Sequence, residues 1–486
     1  MKETNNKKPS IVANYIYNML YEVISLLVPI ITTPYVSRVL SVDSIGVFSY
    51  TQSNTLYFTA FVALGTKSYA IKRISRMNSK DDISKTFWNV FSIRFLAGII
   101  SLVIYFSAIW GSSNNKVVTA IQSIYIFGAI ADISWLYQGV ENFKTIVIRN
   151  IFVKIITLLC IFGLIKNNND FILYVWCMSG LTLLGNVTLW VRLPSLVNKP
   201  QITSLRPFEG IKEIIILFIP TLALQIYSAV DKTMLGSLTD SMTQSGYYEQ
   251  ASKITHILLT IITTLSVVTL PRISMLYSKN MHKEINEIMH KSYRFVLLIS
   301  IPFVVGMNLV SSSFVPLFLG SDYYPCVSML NVFSLLFIIV GFSNITGFQY
   351  LVATDRQLLY SISIVSGTIF NIIANCILIP KFEAIGAVIA SVVSELLVLL
   401  IQVIYVMVIK KELHAYALLS SFIKYILSSC IMAICVILTK KIPTPTIVNL
   451  STCIIVGIAS YFTVLLLLKD SIVTGVFSII IKKIKR

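Results

Sequence analysis

Residues 384–409 read AIGAVIASVVSELLVLLIQVIYVMVI, and this stretch indicates which solvent surrounds the protein. Glu395 is the one charged residue among its 26 positions. As an α-helix the stretch would be about 39 Å long, which exceeds the roughly 30 Å hydrocarbon core of a bilayer. The apolar residues surround the whole helix instead of forming one stripe, so the stretch predicts a transmembrane helix.

Runs of this kind recur along the whole chain. Fourteen of them are predicted to cross the membrane and are numbered here span 1 to span 14: 12–36, 45–66, 87–109, 117–138, 146–165, 171–191, 212–235, 247–270, 293–311, 326–349, 358–380, 384–409, 418–438 and 446–468. The composition agrees, with 56% hydrophobic residues, 12% charged residues and a mean hydropathy of +0.81. A soluble domain carries about 25% charged residues. The predicted fold class is an all-α polytopic membrane protein.

The basic residues predict the orientation of these spans. With the N-terminus inside, the inner connections hold 30 of the 39 Lys and Arg residues. Membrane proteins concentrate Lys and Arg in this way on the cytoplasmic side, so both termini are predicted to be cytoplasmic. The net charge of +18 is spread over these short connections and does not predict a nucleic-acid partner. The seven cysteines show no disulfide framework or metal-ligand spacing, and we expect no metal site.

An internal repeat relates the two halves of the chain. The matching positions, at an offset of 199 or 200 residues, are Arg73 with Arg272, Arg94 with Arg294, and Gly46 with Gly246. The offset covers six spans, so the two copies have the same orientation and are predicted to be related by an axis along the membrane normal. The predicted domains are an N-lobe (1–198, spans 1–6), a C-lobe (199–410, spans 7–12), and spans 13–14 with a basic cytoplasmic tail (411–486). Two such lobes around a central site are the architecture of an alternating-access transporter; chance similarity within an apolar chain is the alternative.

Polar side chains form stripes at helical spacing in three spans. The stripes are Asn14, Asn18, Glu22 and Ser25 in span 1, Gln122, Tyr125 and Asp132 in span 4, and Thr221, Gln225, Ser228 and Lys232 in span 7. Residues at this spacing share one face of a helix. We interpret the stripes as the walls of a water-accessible cavity. The alternative interpretation is hydrogen bonding between helices of a packed bundle.

Charged residues inside spans are candidate site residues because a charge is costly in the bilayer. The candidate ion-coupling residues are Glu22, Asp132, Asp231 and Glu395. A structural ion pair is the alternative for Glu22, Asp132 and Glu395. Arg94 is expected to anchor span 3 at the cytoplasmic edge, with a role in the cavity as the second interpretation.

Motifs for energy conversion or catalysis are absent from the sequence. It contains no GxxxxGK[ST], HExxH or GxSxG pattern, so we expect neither an enzyme nor a cofactor. Transport would then be driven by an ion gradient, by a partner, or by the gradient of the substrate itself.

Three stretches resemble the polysaccharide repeat-unit flippases of the Wzx type, whose superfamily also contains multidrug exporters and lipid II flippases. The first contains Pro34, Arg38, Leu40, Gly46 and Phe48, with Ser41 where the family usually has glycine; the second runs through Asp231, Gly236, Gly246 and Lys253; the third contains Gln349, Asn371, Asn375, Pro380, Gly386 and Glu395. The resemblance covers essentially the whole chain, and it rests on the order of these stretches more than on any one of them.

The resemblance implies a flippase that moves an undecaprenyl-pyrophosphate-linked oligosaccharide from the inner to the outer leaflet of a bacterial cytoplasmic membrane by alternating access. The product would be a surface polysaccharide such as an exopolysaccharide, a capsule or O-antigen. The resemblance also implies a cationic cavity for the pyrophosphate, and the candidate substrate-binding residues are Arg38, Lys232, Lys253, Arg94, Asn18 and Gln225. Membrane lipids, a polysaccharide polymerase and a chain-length regulator are the candidate partners. The alternatives are an ion-coupled multidrug antiporter, a lipid II flippase and, less in keeping with the short outer loops, a membrane polymerase.

Overall fold

A computed structural model describes residues 11–200, 205–409 and 419–484, which are helical and contain no strand within these ranges. The helices coincide with the predicted spans: Ile11–Val39, Val42–Ala63, Lys80–Trp110, Lys116–Gly139, Phe143–Leu164, Asn168–Leu196, Ile211–Leu238, Met242–Ser278, His282–Phe318, Cys326–Val352, 357–382, 384–403, Leu419–Lys440 and Thr446–Leu467. The polytopic all-α fold with fourteen helices at the predicted places is therefore confirmed.

Length and hydropathy alone single out ten of the described helical segments as able to cross a membrane. Spans 11 and 12 are counted together there, because one helix continues through a kink at Glu383 (φ 50°, ψ −131°). Span 2 is not among the ten because its mean hydropathy is lowered by Ser, Thr, Gln and Asn residues in the middle of the helix. Spans 1 and 7 are also not among the ten, because only part of each is described at the level of side chains.

The chain divides into two compact units, residues 1–246 and 247–486. In the first unit, the core packs aromatic side chains at the end of span 3 that is predicted to be cytoplasmic, with Phe87, Trp135 and Tyr137 fully buried. The boundary between the units differs from the predicted lobe boundaries, which follow the repeat and stay a prediction.

In the second unit, spans 9, 13 and 14 share a core around Leu297, Tyr425 and Tyr461. The terminal helix Ser471–Ile484 begins beside this core. Asp470, with its side chain 0% exposed, accepts a hydrogen bond from the guanidinium of Arg294 at 2.8 Å and caps the first turn of the terminal helix. A buried ion pair thus fixes the start of this helix to span 9.

The repeated glycines meet at a close helix crossing within the first unit. A Cβ added to Gly46 would lie 1.8 Å from the carbonyl oxygen of Met242, and one added to Gly246 would lie 2.3 Å from that of Val42. Only glycine lets two helix backbones approach this closely. The contacts are reciprocal at an offset of 200 residues, as a two-fold relation between the repeats would produce.

Candidate functional site

Span 4 does not cross the unit as one continuous helix. It ends at Ala131, passes through Asp132 in an extended conformation (φ −71°, ψ 108°) and resumes at Ser134. A helix that stops leaves its last carbonyl groups without partners inside the helix. At membrane depth such groups must find donors in the protein or in the water of a cavity, because lipid offers none.

Side chains from spans 3 and 6 donate to the carbonyl groups at the break. Arg94 donates from Nη1 to the carbonyl oxygen of Asp132 and from Nη2 to that of Ala129, both at 2.9 Å. Asn186 donates to the carbonyl oxygen of Gly128 at 2.9 Å. Trp190 of span 6 donates its indole N–H to the carbonyl oxygen of Ala131 at 2.8 Å. The carbonyl groups of residues 128, 129, 131 and 132 at the break therefore all have hydrogen-bond donors from other spans.

The carboxylate of Asp132 lies beside the guanidinium of Arg94. Its Oδ2 is 3.9 Å from Nη2 of Arg94, and its Oδ1 accepts from the backbone N–H of Ser134 at 2.9 Å, which caps the second half of span 4. The Arg94 side chain is 3% exposed and that of Asp132 is 26% exposed. Nε of Arg94 has no hydrogen-bond partner within the described ranges. The site therefore presents a buried cation next to a carboxylate that solvent can reach.

A cavity of about 300 Å³ opens beside this pair. Its polar lining comes from spans 2, 3, 4 and 6 and comprises Gln52, Thr55, Thr59, Arg94, Tyr125, Asp132, Thr182 and Asn186. Gln52 donates to the hydroxyl of Tyr125 at 3.4 Å. A space of this size has room for several water molecules, and the polar side chains around Arg94 and Asp132 can form hydrogen bonds with them. Chemically, the partly exposed carboxylate of Asp132 offers oxygen ligands to a small cation, with Arg94 as a fixed charge beside it.

The structure contradicts the expectation for Arg94 and confirms the cavity interpretation for only part of the span 4 stripe. Arg94 is not an anchor at the cytoplasmic edge, because its side chain is buried and donates to span 4. Of the span 4 stripe, Tyr125 and Asp132 line the cavity. Gln122 is fully buried and donates to the carbonyl oxygen of Phe48 in span 2 at 3.1 Å, so for this residue the alternative interpretation, hydrogen bonding between helices, is correct.

The other predicted cations occupy different environments. Arg38 is exposed in the last turn of span 1, and Lys232 is half-buried in span 7. Lys253, in the second unit, forms an ion pair with Glu249 at 3.4 Å. These three residues are divided between the two units, and their joint role stays a prediction.

The remaining predicted residues are placed only in part. The side chains of Asn18 and Glu22 fall outside what the structure describes, although the helix that carries them is described. Asp231 is 7% exposed and Gln225 is exposed, both in span 7. Glu395 is half-buried in span 12.

Sequence reasoning did not find the donors to the broken helix, Asn186 and Trp190, or the lining residue Gln52. One signal of the break was present, because an Asp two residues before Ser134 is a residue type that caps helix starts. The donors themselves carry no local signal, since they lie on another span.

Comparisons with known proteins agree with this architecture. Residues 11–277 match the model of a family described as "Polysaccharide biosynthesis protein". The "Putative O-antigen transporter" of Escherichia coli (strain K12) is 24% identical over 408 residues, which cover 83% of this chain and 98% of that protein. The solved structure "Lipid II flippase MurJ, inward closed conformation" matches with a TM-score of 0.72 and 18% identity over 95% of this chain and 100% of that chain.

A second solved structure has a similar fold at a greater distance. A multidrug resistance MATE family transporter of the MOP superfamily, in an inward-facing conformation, matches with a TM-score of 0.61 and 14% identity over 79% of this chain and 94% of that chain. The structural likenesses show a shared fold, and the family match covers more than half of the sequence. This chain belongs to the polysaccharide biosynthesis protein family.

Proposed function

We propose that this chain is a flippase that moves a lipid-linked oligosaccharide from the inner to the outer leaflet of the cytoplasmic membrane for surface polysaccharide synthesis. The observation that carries the proposal is the family match over residues 11–277 together with likeness to an O-antigen transporter along almost the whole relative. The fold shared with a lipid II flippase supports a lipid-linked cargo.

The physical task explains why such a protein needs a polar interior. The lipid tail can stay in the bilayer, but the pyrophosphate and sugars would lose their hydration in the hydrocarbon core, which costs several kcal/mol for each unpaired polar group. A polar cavity lowers this cost by offering donors, acceptors and water. The cavity beside Arg94 and Asp132 is an interior of this kind within the first unit. The cargo is moved without any covalent change, so no catalytic residue is needed.

The cargo and coupling sites are proposed for the residues that the sequence indicates. Arg38, Lys232 and Lys253 would attract the pyrophosphate electrostatically, and Asn18 and Gln225 would bind sugar hydroxyls. Glu22, Asp132, Asp231 and Glu395 are the proposed coupling residues. Asp132 has the strongest support among these acids, because its carboxylate lines the described cavity beside a buried counter-charge.

The proposed setting is a bacterial cytoplasmic membrane, with both termini in the cytoplasm. Membrane lipids surround the chain there. A polymerase and a chain-length regulator that use the delivered oligosaccharide are proposed partners, since they would act on the product at the outer leaflet.

A multidrug antiporter is the second candidate, favoured by the fold that this chain shares with the MATE transporter. The two functions differ in cargo charge. A flippase should act on an anionic pyrophosphate lipid, and an antiporter of this fold on cationic drugs. The intramembrane acids and bases of this chain are balanced, so its charge pattern favours neither.

The test uses the full chain in liposomes that contain a fluorescent undecaprenyl-pyrophosphate oligosaccharide. We expect the chain to move the labelled lipid out of the inner leaflet, so that an impermeant quencher outside the liposome reduces its fluorescence. A cationic dye should not be transported. Replacing Arg38, Lys232 and Lys253 by glutamine should slow quenching. The matched control replaces three exposed lysines that are predicted to lie at the outer side, Lys116, Lys381 and Lys441, by glutamine and should leave quenching unchanged. Dye transport without lipid movement would refute the proposed function, and full activity of the triple variant would refute the proposed pyrophosphate site.

A further inference from the structure

A second cavity of the first unit lies where the connection after span 6 passes the start of span 3. Its volume is about 180 Å³, and Lys85 and Lys199 line it together with Trp88. This region is predicted to lie on the cytoplasmic side. Tryptophan is typical of the membrane–water interface, so Trp88 indicates the level of the lipid headgroups.

The uncharged walls of this cavity are held together by hydrogen bonds among themselves. The backbone N–H of Asn198 donates to the hydroxyl of Ser84 at 2.9 Å, and the indole N–H of Trp88 donates to the carbonyl oxygen of Asn198 at 2.9 Å. Asn198 also donates from its side chain to Asp81 at 2.7 Å. Asp81, the carboxylate of the lining, accepts this bond through Oδ1 and keeps its charge, so two lysines and one aspartate give the lining a net charge of +1.

The two lysines of the lining are not engaged in this way. Lys85 and Lys199 are exposed, and neither forms a hydrogen bond or an ion pair with any residue that the structure describes. Glu209, which lines a neighbouring cavity with Lys85, is instead paired with Arg73 at 2.9 Å. Two lysines without a described hydrogen-bond or ion-pair partner thus line one cavity, together with a single carboxylate, that of Asp81.

We propose that this cavity, which we call the headgroup pocket (Lys85, Trp88, Asn198 and Lys199), binds the phosphate group of a membrane lipid. Two ammonium groups and a preformed polar wall provide the charge and rigidity that a phosphate oxygen requires. The indole of Trp88 offers an apolar edge to the adjoining part of the lipid. The phosphate belongs either to an anionic phospholipid or to a polyprenyl phosphate carrier, which present the same chemistry at this level.

The test measures lipid binding to the purified full chain in neutral detergent by native mass spectrometry. The probes are phosphatidylglycerol, undecaprenyl phosphate, phosphatidylcholine and inorganic phosphate, each titrated separately. We expect the two anionic lipids to bind more tightly than phosphatidylcholine, and inorganic phosphate to bind more weakly than either. The relative affinity of the two anionic lipids identifies the source of the phosphate.

The decisive variant is Lys85→Gln with Lys199→Gln, which should weaken anionic lipid binding about 30-fold, from roughly a fivefold attraction per lysine. Replacing both lysines by arginine should restore binding. The matched control is Lys67→Gln with Lys72→Gln, two exposed lysines of the connecting helix Thr66–Ile74 that do not line this cavity.

Three results would overturn the proposal: unchanged lipid affinity in the Lys85 and Lys199 variant, an equal loss in the control variant, or inorganic phosphate binding as tightly as the lipids. The measurement involves no transport. A failure here therefore leaves the flippase proposal untouched, and the reverse also holds.

Discussion

Arg94 gives the sharpest prediction, because one side chain supports the break in span 4. It donates to two partly buried carbonyl oxygens at 2.9 Å, and it also forms the ion pair with Asp132 at 3.9 Å. Replacing Arg94 by glutamine would leave these carbonyl groups without their donor. An unsatisfied buried polar group costs about 1–3 kcal/mol, and loss of one partner of a buried pair costs about 3–5 kcal/mol.

These two contributions overlap, so we expect Arg94→Gln to lower the free energy of unfolding by about 3–5 kcal/mol. Asp132→Asn should cost less, because asparagine keeps the oxygen that accepts from Ser134 and leaves both carbonyl bonds of Arg94 in place. Arg94→Lys should fall between them, since an ammonium group cannot reproduce the two-pronged donation of a guanidinium.

The assay is equilibrium unfolding of the purified chain in mixed micelles. Unfolding can be followed by the reaction of a thiol dye with the buried free cysteines, such as Cys326 and Cys453. Our interpretation of Arg94 would be refuted if Arg94→Gln stayed within about 0.5 kcal/mol of the wild type, the range of ordinary surface substitutions. An Asp132→Asn variant less stable than Arg94→Gln would show that the ion pair outweighs the carbonyl bonds.

Three further predictions use the same unfolding assay or a simple variant of it. Gly46→Ala should lower the free energy of unfolding by about 1–3 kcal/mol, because its Cβ would lie 1.8 Å from the carbonyl oxygen of Met242. In a Val42→Cys and Met242→Cys background it should also lower the yield of the disulfide between the two helices. Wild-type stability together with an unchanged disulfide yield would contradict the close crossing. Asp470→Asn should cost about 3–5 kcal/mol and speed hydrogen exchange over residues 471–484, since it removes the buried partner of Arg294; unchanged exchange would show that the terminal helix is held by other contacts. Arg73→Gln should change stability by less than about 1 kcal/mol, because its ion pair with Glu209 at 2.9 Å is exposed; a larger loss would mean that this pair is part of a network.

The candidate site could be predicted only in part. The stripe of Tyr125 and Asp132 was visible at helical spacing, and both residues line the cavity. The role of Arg94 was not visible, because its place near the start of span 3 is also typical of an interfacial anchor. Its repeat mate illustrates the difficulty: Arg294 pairs with Asp470, far along the chain, although the local sequences match.

The sequence by itself determined the solvent, the number of spans and the repeat. Inside a bilayer the backbone N–H and C=O groups of a segment must hydrogen-bond to each other, so a sufficiently long apolar run forms a helix. The sequence of the run itself is therefore enough to predict the helix. Tertiary structure alone decided where span 4 breaks, which donors compensate the break, and that Gly46 meets Gly246. These features depend on side chains that meet across helices. The position of such a partner is set by packing of the whole unit and not by the residues next to it in the chain.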